Sequence, residues 1–283
     1  MRIQATVPNS TPPTIGLFDS GVGGLTVLRA LVDRVPGANY LYFGDTARLP
    51  YGSKSAATVS HYAVGAIRYL EAEGADLLVI ACNTATALAL NEIKSATTLP
   101  VVGVIEPGAK AAVAASVRER VVVIGTEATI GSHAYRHALE GRKIEVREKA
   151  CPLFVPLVEE GWADHPVTEQ VARIYLSEAF SDGAFDADVL LLGCTHYPLI
   201  KTLLRRVAPA HIEIVDSAES TAEEVARQLT ANFDGEKFRS RSELKPETSL
   251  KFFATDSAEK FMKMGSRFLG LPVENVKHVD LKE

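Results

Sequence analysis

The sequence predicts an α/β protein of two similar domains, each a parallel sheet flanked by helices. Short apolar runs alternate with amphipathic stretches from Thr14 onward, and strands that alternate with helices favour a parallel sheet. The apolar runs are continuous rather than alternating, which is typical of strands covered on both faces. The pattern then starts again in the second half of the chain. We therefore expect a pseudo-symmetric pair of domains with the active site in the cleft between them.

One short pattern carries this duplication. The segment 76–84 reads D-L-L-V-I-A-C-N-T, and the segment 188–196 reads D-V-L-L-L-G-C-T-H. Asp188 lies 112 residues after Asp76, and Cys194 lies 112 residues after Cys82. A period above 100 residues indicates a tandem copy of a whole α/β unit and not a solenoid.

The apolar runs predict the strands in order. In the first copy they are Ile15–Asp19, Tyr40–Gly44, Leu77–Ala81 and Val101–Ile105, and in the second Val121–Gly125, Ile144–Arg147, Val189–Gly193 and Ile212–Asp216. Apolar residues at helical spacing lie between them, as in the helix that includes Val59, Ile67 and Leu70 and stops at Gly74.

The C-terminal part of the chain is too short for a core of its own. We predict a helix from Ser217 through Phe233, a polar segment 234–248, a strand Lys251–Ala254 and a helix Ala258–Leu269. These elements are expected to complete the first domain. The predicted division is therefore an N-terminal arm at 1–13, a first domain of 14–107 plus 218–283, and a second domain of 108–217.

Composition excludes several classes of function. The 283 residues are 47% hydrophobic and carry a formal net charge of −5, which disfavours nucleic-acid binding by a broad basic face. No apolar stretch approaches the length that spans a bilayer, and the polar, proline-rich start is unlike a secretory signal. Three cysteines are too few for a disulfide scaffold, so a cytoplasmic location without membrane contact is expected.

The candidate functional residues follow the predicted strands, where ligands bind in open parallel sheets. Asp19 and Ser20 follow the first strand, Cys82, Asn83 and Thr84 the third, Thr126 the fifth, and Cys194, Thr195 and His196 the seventh, while Pro50, Tyr51 and Gly52 lie in the loop after the second strand. Two such edges that face each other would enclose a cleft.

The two thiols suit proton transfer on opposite faces of a carbon. A free cysteine has a pKa of about 8.5, and a helix N-terminus directly after it lowers that value. We expect both thiols to lie at such a helix N-terminus. Asn83, Thr84 and Thr195 are good N-cap or first-turn residues. Buried structural cysteines are the main alternative, a disulfide is another, and zinc is weakly supported because no metal-ligand spacing is present. Cys151 lacks the polar cap and is interpreted as a packing residue.

Other polar residues are less specific. The segment Gly21–Gly24 has Thr26 where a dinucleotide fingerprint needs glycine, so we interpret it as a tight turn. Asp19 is either a helix cap or the partner of a cationic group. His196 is expected to tune a thiol or relay a proton, and one of Glu159 and Glu160 to face the site.

Four motifs together resemble the glutamate racemases. They are G-L-F-D-S-G-V-G-G-L-T-V (Gly16–Val27), F-G-D-T-A-R-L-P-Y-G-S-K (Phe43–Lys54), A-C-N-T-A-T (Ala81–Thr86) and G-C-T-H-Y-P-L (Gly193–Leu199). They occur in the order and spacing of that family, and the resemblance extends from Thr14 to about Leu269. Thr86 stands where many relatives have serine and keeps the hydroxyl.

The resemblance implies cofactor-independent interconversion of L- and D-glutamate, which supplies D-glutamate for peptidoglycan synthesis. It implies that Cys82 takes the proton from D-glutamate and Cys194 from L-glutamate, that Asp19 and His196 assist the thiols, and that Glu159 or Glu160 supports His196. It also implies substrate contacts from Asp19-Ser20, Tyr51-Gly52, Asn83-Thr84 and Thr195-His196, and a homodimer. No metal is expected, because the residues have no metal-ligand spacing. Aspartate racemisation, or amino-acid binding without turnover, are the alternatives.

Overall fold

The computed structural model describes residues 12–181, 185–232 and 248–281. Of the predicted N-terminal arm (1–13), only residues 12 and 13 are described. Of the predicted polar segment (234–248), only Thr248 is described. The strands are β1 Thr14–Asp19, β2 Asn39–Gly44, β3 Leu77–Ile80, β4 Val101–Gly103, β5 Arg120–Gly125, β6 Glu145–Ala150, β7 Val189–Gly193, β8 Glu213–Asp216, β9 Ser249–Ala254 and β10 Lys277–His278.

These strands form two parallel sheets with the same internal order. The first sheet has the order β10-β9-β2-β1-β3-β4, and the second sheet has the order β6-β5-β7-β8. In each sheet the first strand of the copy lies between the second and the third, and the fourth is at the edge. β3 and β7, which precede Cys82 and Cys194, are therefore equivalent. The predicted fold class is confirmed.

Eleven helices flank the sheets in the described part of the chain. They are α1 Leu25–Arg34, α2 Ala56–Ala72, α3 Asn83–Ala96, α4 Ile105–Ala115, α5 Glu127–Gly131, α6 Ala134–Glu140, α7 Phe154–Glu159, α8 Pro166–Ala179, α9 Lys201–Val207, α10 Ser217–Asn232 and α11 Ala258–Leu269. None of the helices among the described residues is long and apolar enough to cross a membrane.

α2 illustrates how the local sequence sets these elements. The Ser55 side chain accepts a hydrogen bond from the Thr58 backbone N–H and caps the helix N-terminus. The chain leaves the helix at Gly74, whose φ of +94° is readily adopted by glycine. Between these ends, the predicted apolar face, including Val59, Ile67 and Leu70, is fully buried.

Several strand boundaries differ from the sequence prediction, and those of β4 and β6 have a clear physical reason. The predicted strand Val101–Ile105 ends at Gly103, because Ile105 already begins α4. Glu106 and Pro107 follow in the first helical turn, where a carboxylate and a proline are both favourable. The predicted strand Ile144–Arg147 begins at Glu145 and continues to Ala150, because β5 pairs with it along its full length.

The C-terminal strands extend the first sheet. β9 pairs in parallel with β2 from Asn39 opposite Ser249 to Gly44 opposite Ala254, and β10 pairs with β9. α10 packs against both α1 and α4. These pairings support the prediction that the C-terminal part of the chain completes the first domain; the boundaries at 107 and 217 stay a prediction.

The two sheets share part of one apolar core. Leu17 and Val79 of the first sheet belong to the same buried cluster as Val122 and Leu190 of the second sheet. Burial of apolar surface is the main favourable term in folding. Apolar side chains of the two sheets are thus packed together in one buried cluster.

We predict opposite stability effects for alanine at two glycines. A Cβ on Gly44 would lie 2.4 Å from the Gly21 carbonyl oxygen, so Gly44→Ala should lower the free energy of unfolding by about 1–3 kcal/mol. Gly65 is inside α2, and its added Cβ would meet only Leu281 at 3.8 Å. Gly65→Ala should therefore raise the free energy of unfolding by about 0.5–1 kcal/mol. Urea denaturation measures both; equal effects would contradict this packing of β2.

Candidate active site

A cavity of about 440 Å³ opens at the carboxyl ends of the strands of both sheets. It is lined by the predicted residues Ser20, Pro50, Tyr51, Gly52, Cys82, Asn83, Thr84, Thr126, Glu159, Cys194, Thr195 and His196. It is also lined by residues that the sequence analysis missed, namely Leu49, Ser53, Glu127, Pro152, Val155 and Pro156. Asp19 is the one predicted site residue that does not line the cavity. Both thiols therefore border the same space.

Cys82 is itself the N-cap of α3. Its Sγ accepts a hydrogen bond from the Ala85 backbone N–H at 3.4 Å, and its thiol donates to the Ser20 hydroxyl at 3.6 Å. Asn83 and Thr84 lie in the first turn of this helix, one of the two positions that the sequence analysis allowed for them, because the helix begins at Asn83 and the thiol occupies the cap.

The pKa of Cys82 is raised to about 12, contrary to the sequence-based expectation that the helix N-terminus lowers it. Burial is the largest cause, and the nearby Asp19 carboxylate adds to it. The bonds from Ala85 and Ser20 act in the opposite direction but are smaller. Cys82 is 5% exposed, and loss of hydration disfavours a thiolate. Cys82 is therefore a neutral thiol at neutral pH.

Cys194 follows β7 without an α-helix directly after it. The chain continues into a 3-10 turn at Tyr197–Ile200, and α9 begins only at Lys201. The expectation that both thiols are at a helix N-terminus is thus right for Cys82 and wrong for Cys194. The Cys194 Sγ instead lies 3.9 Å from the His196 Nδ1.

His196 connects Cys194 to Glu159. The His196 Nε2 lies 3.0 Å from the Glu159 Oε1, whereas Glu160 is exposed. Burial by itself lowers the pKa of His196, but the hydrogen bonds to Cys194 and Glu159 outweigh it and raise the pKa to about 10. A protonated imidazole beside the Cys194 sulfur therefore carries a positive charge at neutral pH. Of the two glutamates that the sequence left open, Glu159 is the one in contact.

Asp19 is buried beneath the cavity. Its Oδ2 accepts a hydrogen bond from the Gly21 backbone N–H at 2.9 Å, and its Oδ1 has no partner within the described residues. Burial raises the pKa of Asp19, while the neighbouring His196 acts against the rise. Asp19 does not cap α1, whose N-cap is Gly24.

The glycine-rich turn allows close packing, as the sequence analysis inferred. A Cβ on Gly24 would lie 2.7 Å from the Asp19 Cβ, and a Cβ on Gly23 would lie 2.3 Å from the Thr195 Oγ1. Real Cβ contacts are never this short. The glycines thus bring the end of β1 against the segment that follows β7.

Two sets of hydrogen bonds that fix the cavity walls were not predicted from the sequence. The Tyr51 hydroxyl donates to the Asp45 Oδ2 at 2.5 Å, which fixes the loop that includes Gly52. The Thr84 hydroxyl lies 3.0 Å from the Thr126 hydroxyl and 3.3 Å from that of Thr129. Asp45 is within a motif that the sequence analysis quoted, whereas Thr129 had no such signal.

Cys151 is fully buried and donates to the Lys149 carbonyl oxygen at 3.7 Å. All three cysteines are free thiols, so no disulfide joins Cys82 to Cys194. Residues 12–181, 185–232 and 248–281 contain no group of three or more His, Cys, Asp or Glu side chains that could hold a metal ion.

The sequence from residue 15 to residue 225 matches the profile of the family described as Asp/Glu/hydantoin racemase. The chain belongs to this family. It is 58% identical to the glutamate racemase of Koribacter versatilis over 95% of this chain and 98% of that relative. The predicted resemblance to the glutamate racemases, and with it the prediction of a racemase, an isomerase, is confirmed.

Solved structures of the family share the fold. A glutamate racemase isoform from Bacillus anthracis superposes with a TM-score of 0.85 at 34% identity, over 96% of this chain and 99% of that chain. The glutamate racemase of Francisella tularensis, crystallised in complex with D-glutamate, superposes with a TM-score of 0.84 at 35% identity, over 96% and 98% of the two chains.

We predict that Glu159→Gln lowers the pKa of His196. The substitution keeps the shape of the side chain but removes the carboxylate that stabilises the imidazolium. Histidine ¹⁵N chemical shifts measured against pH report this pKa. Glu160→Gln is the matched control, because Glu160 is exposed, and it should leave the titration unchanged. Equal shifts in both variants would contradict the contact with Glu159.

The same contact has a consequence for stability. Because the pKa of folded His196 is above its unfolded value of about 6.5, its stabilising contribution is complete below pH 6.5. The contribution is lost as the pH rises toward 10. The difference in unfolding free energy between the unsubstituted protein and Glu159→Gln should therefore shrink across this range. A difference that grows with pH would contradict the assignment.

Proposed function

We propose that this chain interconverts L- and D-glutamate by two-base proton transfer between Cys82 and Cys194, without a cofactor. The observation that carries the proposal is that two thiols, at equivalent positions of two duplicated sheets, line one cavity. The family and its glutamate-racemising relatives support the reaction and the substrate. The relative crystallised with D-glutamate supports binding of that enantiomer.

The environments of the thiols suit opposite roles at the start of each turnover. In the L-to-D direction the Cys194 thiolate, beside the protonated His196, takes the α-proton, so the C–H bond breaks and an S–H bond forms. The neutral Cys82 thiol then donates its proton to the opposite face of the planar carbanion. That turnover leaves Cys194 as the thiol and Cys82 as the thiolate, which is the state that removes the proton from D-glutamate. Burial disfavours this state, because it raises the pKa of Cys82. Substrate binding must therefore favour the Cys82 thiolate, which the α-ammonium of glutamate can do.

The remaining polar groups suit an amino acid that has two carboxylates. Backbone N–H groups at the start of α3 can bind a carboxylate, since helix N-termini attract anions. The Tyr51-Gly52 loop and the hydroxyls of Ser20, Thr84 and Thr126 offer further donors around the cavity. Glutamate has two carboxylates that need such donors. Asp19 and His196 are proposed to assist the thiols, with Glu159 supporting His196.

The proposal includes a cellular role. D-glutamate made here would supply peptidoglycan synthesis in the cytoplasm, and the active form would be a homodimer without nucleic acid or membrane as partner. The formal net charge of −5 supports the absence of a nucleic-acid partner. The family resemblance is the support for the pathway and for the dimer.

We predict that Cys82→Ser and Cys194→Ser each lower racemisation by at least about 10³-fold, because a serine hydroxyl is a far weaker acid than a thiol and cannot serve as the base at neutral pH. Circular dichroism of L- and of D-glutamate solutions measures the loss in each direction. Cys151→Ser is the matched control and should keep activity within a few-fold, because Cys151 does not line the cavity. Full activity in either site variant would contradict the two-base proposal.

Incorporation of deuterium from the solvent distinguishes a racemase from the alternative functions. In D₂O the recovered glutamate should carry deuterium at the α-carbon, because the donated proton comes from an exchangeable thiol. Binding of glutamate without turnover or exchange would identify a binding protein. Aspartate, assayed in the same way, should be turned over much more slowly; faster turnover of aspartate would identify an aspartate racemase.

A further inference from the structure

Asn83 is the first residue of α3 and borders the cavity, yet only one end of its amide is hydrogen bonded. The Oδ1 accepts from the Tyr135 hydroxyl at 2.6 Å. The Nδ2 is buried and has no partner within the described residues. The side chain is 2% exposed. A buried polar group without a partner is destabilising, so this nitrogen is expected to gain a partner when a ligand binds.

Tyr135 reaches Asn83 from the other half of the molecule. It belongs to α6, which packs on the second sheet, whereas Asn83 follows β3 of the first sheet. The tyrosine is fully buried. A Cβ on Gly193 would lie 2.9 Å from the Tyr135 Cε2, and a Cβ on Gly108 would lie 3.3 Å from its hydroxyl oxygen. Two glycines thus leave the space that the ring occupies, and Gly193 directly precedes Cys194.

The Tyr135 hydroxyl is a hydrogen-bond donor over the working pH range. Burial raises its pKa above the ordinary value, and the Ser217 side chain, which bonds to the same hydroxyl, acts in the opposite direction. A protonated phenol that donates to Oδ1 selects one of the two orientations of the amide. The reverse orientation would direct the carbonyl oxygen toward an anionic ligand, where it is repelled.

We propose that Tyr135 is a positioning residue, which holds the Asn83 amide so that its nitrogen donates to a carboxylate of the substrate. The inference rests on the proposed function, since glutamate is the carboxylate ligand considered. Tyr135 does not line the cavity, so it acts through Asn83. Because Tyr135 belongs to α6 and Asn83 to α3, the Asn83 nitrogen is aligned only when these two helices are in contact.

The test compares Tyr135→Phe with Tyr40→Phe. Tyr40 is also buried, and its hydroxyl donates to the Leu31 and Val35 carbonyl oxygens, away from the cavity. Tyr135→Phe should lower kcat/KM about tenfold, mainly through a higher KM, because the substrate carboxylate is present in both the ground state and the transition state. Tyr40→Phe should leave KM unchanged even if it lowers the midpoint of thermal unfolding. Equal KM values in the two variants would overturn the proposal.

A double-mutant cycle shows whether Tyr135 acts through Asn83. In an Asn83→Ala background the additional effect of Tyr135→Phe on KM should disappear, because the amide that it orients is gone. Undiminished, additive effects would show that Tyr135 acts on the cavity by another route and would overturn the proposal.

A third variant gives a decision even if Tyr135→Phe does not fold. Asn83→Asp keeps the oxygen that Tyr135 contacts but puts a carboxylate oxygen in place of Nδ2. Glutamate binding, measured by calorimetry, should then be weaker than in Asn83→Ala. Equal or tighter binding would show that this nitrogen does not face the carboxylate. Failure of the proposed function would give a different result, because the unsubstituted protein would then bind glutamate without racemising it.

Discussion

The site depends on one topological constraint: equivalent strands of two sheets deliver their carboxyl ends to the same cavity. In each sheet the strand that precedes the cysteine, β3 or β7, pairs with the first strand of its copy. Parallel pairing places the ends of all these strands at one edge, where the polar loops collect. Because apolar residues of the two sheets are packed in one buried cluster, the two sheets cannot separate without exposure of apolar surface. The thiols border one volume as a result of this packing.

The two copies of the motif differ in the segment directly after each cysteine, which determines the charge around the thiol. After Cys82 the chain enters α3 at once, and the sulfur accepts an N–H from the first turn. After Cys194 the chain makes a 3-10 turn, and His196 lies beside the sulfur with Glu159 behind it. One thiol is thus near a buried carboxylate and the other near a buried imidazolium. This asymmetry suits a reaction in which one thiol is the acid while the other is the base.

Hydrogen bonds between the two halves set the walls of the cavity. The Thr26 hydroxyl donates to the Thr195 carbonyl oxygen at 3.1 Å, the Thr84 hydroxyl meets that of Thr126, and Tyr135 reaches Asn83. Each such bond contributes only about 1 kcal/mol net, so the apolar core and not these bonds holds the halves together. Their role is geometric. They fix which polar atoms remain available to a ligand.

The sequence alone determined the fold class, the duplication, the family and about two thirds of the residues that line the cavity, because these follow from local patterns: apolar runs, a constant offset between two cysteines, and polar residues directly after strands. The sequence also predicted that either Glu159 or Glu160 faces the site, but only the structure showed that Glu159 contacts His196. The tertiary structure alone decided the charge states. Cys82 has a raised pKa because burial outweighs the helix N-terminus, and burial is a property of the whole fold. Thr129 and Tyr135 were likewise invisible in the sequence, since each meets its partner across the cleft and no local spacing records that contact.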